Sequence, residues 1–119
     1  MKTNNVIQEK SYDFALKIIL FCYEIQQNKK EYALTRQLVS SGTSIGANVE
    51  EAIGGQSRKD FFAKLTISYK EARESRYWLR LLRDSGIVVE EKANVLISDC
   101  EEILRIITAI QKTMRSSEN

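Results

Sequence analysis

A chain of 119 residues with 43% hydrophobic content suits one ordinary domain built around one core. It has no proline and only five glycines, and it relies on Leu, Ile, Ala, Glu, Lys and Arg, which favours an all-α fold and argues against a sheet. A formal net charge of +2 excludes the conspicuous basic excess of most nucleic-acid binders, so any electrostatic function must rest on the distribution of charge.

The first stripe runs through Ile7, Ser11, Phe14, Ile18, Phe21 or Cys22, and Ile25. Its steps of three and four residues predict a helix from about Asn5 to about Asn28. The polar stretch from Gln26 to Glu31 ends it. A second helix follows from Leu34, Leu38, Ser41, Ile45, Val49 and Ala52, although its middle, Ser40 to Asn48, is small and polar and has weak helix propensity. Its unbroken period keeps it helical, and its small residues allow a neighbouring helix to come close. Asn48, at the margin of that stripe, is a candidate buried hydrogen-bonding group that fixes register. Gly54 and Gly55 supply the stop.

Ser57 with Asp60 resembles a capping box and opens a third helix, which lasts to about Asp84 and is closed by Gly86. Its core stripe is Phe61, Leu65, Ser68, Ala72, Ser75, Leu79 and Leu82. The fourth helix begins near Val89 and buries Ala93, Leu96, Cys100, Ile103, Ile107, Ile110 and Met114, with fraying expected from Arg115 to Asn119. Short connections between four amphipathic helices predict an up-down-up-down four-helix bundle, with residues 1–119 forming one domain. No apolar run reaches the roughly 20 residues needed to cross a bilayer, and residues 1–5 are polar, so a cytosolic protein with Cys22 and Cys100 as buried reduced thiols is expected.

The helices carry more apolar surface than one core uses. Ile67, Trp78 and Leu81 fall away from the third stripe, as do Phe62, Tyr69 and Tyr77; Tyr12, Ile19, Leu20 and Tyr23 lie outside the first, and Ile97, Leu104 and Ile106 outside the fourth. Self-association accounts for this surplus better than a wide core with scattered surface hydrophobes, and Ile67, Trp78, Leu81, Tyr12 and Leu20 are the candidate interface. Arg73, Arg76, Arg80 and Arg83 share one sector of the third helix, with Tyr69 one turn earlier. Two readings stay open: a row that binds phosphates while Tyr69 stacks on bases, or a solvated face laced with ion pairs to Glu71, Glu74 and Asp84. Lys59, Lys64 and Lys70 spread around the helix and favour neither.

Catalysis finds little support. The chain has no histidine, no cluster with metal-ligand spacing and no cysteine paired with a base, so neither enzyme activity nor a cofactor is expected. Residues Gly42 to Gly46 resemble a glycine-rich loop but follow no strand and lack the lysine of a phosphate-binding loop. Close helix packing explains them.

Taken together, several short motifs carry a resemblance. Ser41-Gly42-Thr43-Ser44-Ile45-Gly46-Ala47-Asn48 with Glu51-Ala52, Lys59-Asp60-Phe61, Tyr69-Lys70-Glu71-Ala72-Arg73-Glu74, Tyr77-Trp78-Leu79 and Asp84-Ser85-Gly86 are similar to the bacterial four-helix-bundle proteins encoded in intervening sequences of 23S rRNA genes. Glu9-Lys10-Ser11-Tyr12 and Asp99-Cys100-Glu101-Glu102 extend the likeness over nearly the whole chain. The resemblance implies a ring-like homopentamer. It also points to the related accessory proteins of diversity-generating retroelements, which bind nucleic acid through basic surface and associate with a reverse transcriptase. By that analogy Arg73, Arg76, Arg80 and Arg83 would contact an RNA or DNA backbone, although this chain is nearly charge-balanced where those relatives are strongly basic. The expected function is therefore a homo-oligomeric, nonspecific nucleic-acid-binding accessory protein; the alternative is a structural adaptor that recognises another protein.

Overall fold

A computed structural model describes the backbone of residues 2–118 and the side chains of residues 6–117. Four helices account for nearly all of it: α1 (Lys2–Lys29), α2 (Ala33–Ile53), α3 (Arg58–Asp84) and α4 (Glu90–Glu118). The first helix thus starts three residues before the expected Asn5. The last continues through Arg115 to Glu118 instead of fraying, for Met114 is buried and the Arg115 guanidinium sits 5.1 Å from the Phe62 ring centre. Asn119 lies outside the described residues.

Each helix end has a chemical cause. At the end of α1, Lys30 takes a left-handed conformation with φ 54°, and its N–H closes on the Gln26 carbonyl at 3.1 Å. Glu31 then caps α2: its two carboxylate oxygens accept from the N–H groups of Leu34 and Thr35 at 2.6 and 3.0 Å. Ser57 caps α3 as its spacing predicts, accepting from the Asp60 N–H at 3.0 Å. Gly86, at φ 78°, turns the chain after Asp84, a conformation that costs a glycine nothing in Cβ contacts.

Close backbone approaches connect α1 with α2, α2 with α3, α3 with α4 and α4 with α1, and none joins diagonal helices among the described residues. Early residues of one helix meet late residues of the next. Gln8 donates to Glu50, Ser75 reaches Ser41, and Gln111 reaches Phe62 and Thr66, so consecutive helices run in opposite directions. The resulting bundle measures 50 × 21 × 20 Å.

The core is the union of the expected stripes. Ile7, Phe14, Ile18, Leu38, Ile45, Leu65, Leu79, Leu82 and Ile107 are all at most 1% exposed, and both cysteines are buried as free thiols. Burial raises Cys22 and Cys100 from 9.0 to about 12. Helix α4 buries more than its stripe: Ile97 and Leu104, expected as surplus, are each only 8% exposed, and Ile106 is half-buried. These residues complete the core of their own chain.

The small residues of α2 do what their size permits. A Cβ at Gly42 would stand 2.9 Å from Ile18, so the glycine sets how closely α1 and α2 approach. Register between α2 and α3 is fixed by serines. Ser68 donates to the Ile45 carbonyl at 2.9 Å and Ser75 to the Ser41 hydroxyl at 2.8 Å, both in the interior. Asn48 does not serve this role, because its side-chain amide donates to Ser44 in its own helix at 2.9 Å.

Candidate nucleic-acid interface

Helix α3 directs its arginine row along the edge facing α4, and the four side chains meet different fates there. Arg83 donates to Asp84 at 2.8 Å and reaches across to Asn94 of α4 at 2.9 Å. That hydrogen bond holds the Asp84 carboxyl below its usual range. Arg76 lies 3.7 Å from Glu101 of α4, a loose and partly exposed pair of little energetic weight. Arg73 and Arg80 are exposed and form no ion pair or hydrogen bond among the described residues.

The acidic partners proposed from sequence are only partly right. Asp84 pairs as expected, whereas Glu74 accepts from the Trp78 indole at 3.4 Å. Glu71 stays apart from the arginines; burial, with Glu74 nearby, raises its pKa. The other partners, Glu101 and Asn94, come from α4, and helix spacing in α3 carries no information about them.

Three further cations appear on the α4 side. Arg105 and Lys112 line the same groove as Tyr69 and Arg76, and Arg115 continues the face beside Phe62. Neither Arg105 nor Lys112 has an ion pair or hydrogen bond among the described residues. On other seams four lysines are paired, Lys10 with Glu102, Lys17 with Asp99 and Lys92 with Glu24 between α1 and α4, and Lys64 with Glu51 between α2 and α3, whereas Lys29, Lys30, Lys59 and Lys70 form no ion pair among the described residues. Unpaired cations are therefore concentrated along α3–α4, and the small net value conceals this basic face.

The candidate interface residues also divide. Tyr12 and Leu20 are 63% and 68% exposed, and with Leu16, Ile19 and Tyr23 they form an apolar strip along α1 on the side away from its core stripe. Ile67 is 40% exposed and Tyr77 is exposed on α3. Trp78 and Leu81 are half-buried, and Trp78 packs on the core of its own chain with its ring edge-to-face against Tyr77 at 5.3 Å. Tyr69 is likewise half-buried against the core. No helix of the described residues is long and apolar enough to cross a membrane.

A helical bundle with a basic face and an uncovered apolar strip is the class of protein these features define. The family model of the 23S rRNA-intervening sequence proteins matches residues 3–109, and the chain belongs to that family. A solved structure of a protein of unknown function from the S23 ribosomal protein family of Bacteroides thetaiotaomicron superposes with a TM-score of 0.90 at 39% identity, covering 92% of this chain and 98% of that one. No curated protein matches the chain.

Proposed function

We propose that the protein is a self-assembling binding protein, not an enzyme, whose α3–α4 face attracts the phosphates of RNA or DNA without sequence preference. The observation that carries this reading is the concentration of cations on one face: Arg73, Arg80, Arg105 and Lys112 form no ion pair or hydrogen bond among the described residues, while the α1–α4 seam matches Lys10, Lys17 and Lys92 with carboxylates. Arg76 and Arg83 extend that face, and Tyr69 offers a ring beside it. Phosphate contacts of this kind gain affinity through counterion release and need no base-specific geometry. In the cytoplasm such a protein would act as an accessory to a ribonucleoprotein or retroelement process, with a reverse transcriptase as one class of partner.

The uncovered apolar surface supports self-association. The strip on α1 and the exposed Ile67 and Tyr77, with half-buried Leu81, on α3 lie on diagonal helices and differ in composition. A contact that joins one to the other is heterologous, and such contacts close into a ring where the rotation between neighbours closes, in keeping with the homopentamer that the resemblance implies. The test is binding of a short RNA across a salt series. Affinity should fall steeply with salt, and Arg73→Ala with Arg80→Ala should flatten the slope by roughly one to two phosphate contacts. Salt-independent binding, or none, would overturn the reading. The α1 strip also supports the adaptor alternative, which gains if a stoichiometric protein partner is recovered from nuclease-treated extract.

A further inference from the structure

The groove between α3 and α4 has a composition that phosphate attraction alone does not require. It is a shallow, open depression of about 580 Å³, wide enough to lie along one face of a base. Tyr69, Leu104 and Ala109 give it an apolar lining, and Leu104 and Tyr69 are held by the core beneath. Arg76, Arg105 and Lys112 surround that lining with positive charge, and Glu101 is the one carboxylate that lines the groove. A purely electrostatic face would work as well with a polar floor.

We propose that this groove receives an unpaired base of single-stranded nucleic acid against Tyr69 and Leu104, while Arg76, Arg105 and Lys112 hold the flanking phosphates. The proposal rests on the nucleic-acid reading above and narrows it to single strands. A duplex keeps its bases stacked inside, so only its phosphates would meet the cations and the apolar floor would stay uncovered. Splayed single strands expose the flat faces of their bases, and every base has one, so binding stays independent of sequence. Glu101 opposes the phosphates, and Arg76, 3.7 Å away, offsets it.

Fluorescence anisotropy with three probes tests this: a short single-stranded RNA, the same strand carrying abasic sites, and its duplex. The intact strand should bind roughly tenfold or more tightly than the abasic strand, and more tightly than the duplex at equal salt. Tyr69→Ala should abolish the preference for bases while leaving the salt slope intact, and Tyr69→Phe should keep it. Lys112→Ala and Arg105→Ala should weaken intact and abasic strands alike. Because Tyr69 also packs on the core, Glu101→Gln provides a surface variant that leaves packing alone; it should tighten binding of single strands several-fold. Equal binding of intact and abasic strands, or no response to Tyr69→Ala in a folded protein, would overturn the base site and leave the phosphate-binding face standing. Failure of every probe to bind at low salt would remove both.

Discussion

Gly42 is the residue at which one methyl group decides how two helices pack. The Ile18 side chain that an alanine would meet is fully buried, so it can yield only by shifting within the core. Gly42→Ala should therefore destabilise the bundle by about 1–3 kcal/mol, read by urea denaturation, despite alanine's better helix propensity. The two thiols make a different prediction. Their folded pKa values are raised from 9.0 to about 12, so the unfolded chain loses its thiol protons first as pH rises. The stability they contribute is complete below about pH 9 and is lost progressively toward pH 12. Denaturation midpoints should decline over that window, and replacing Cys22 and Cys100 together with alanine should make the decline shallower.

Among the elements, α2 depends most on its surroundings. Its central residues satisfy themselves locally, Thr43 donating to Val39 at 2.7 Å and Ser44 to Ser40 at 2.6 Å, so its start and its packing carry the burden. Glu31→Ala removes the carboxylate that caps two of its first N–H groups and should cost about 1 kcal/mol, measured by thermal melting. Periodicity made the buried face of every helix legible in the sequence, down to Ser68 and Ser75, because a step of three or four residues is enough to place a side chain on a face. It did not show which helix lies beside which edge. Ile97 and Leu104 read as surplus until α3 is placed against them, and the contributions of Arg105, Lys112 and Glu101 to the arginine face become visible only once α4 lies alongside. The register role expected of Asn48 falls to serines because an α2 so rich in small residues brings α3 close enough for a hydroxyl to reach the facing backbone.

At the scale of the whole molecule, a bundle 50 Å long presents two kinds of uncovered surface, a basic face on α3–α4 and an apolar strip on α1. Leu20→Glu with Tyr12→Ser should lower the mass seen by light scattering without lowering helicity, because neither side chain serves the core. A monomeric parent protein would defeat that expectation. The pattern of helix contacts also bears on how the chain finds its structure. Three of the four seams join helices adjacent in sequence, and only the α1–α4 seam, the least extensive, closes across the chain. Each early step thus encloses a short loop, and a bundle assembled this way reaches its native state within microseconds to milliseconds. The closing seam is expected to form last, so Lys17→Ala, which removes its exposed ion pair with Asp99, should quicken unfolding slightly in stopped-flow measurements and leave the refolding rate unchanged.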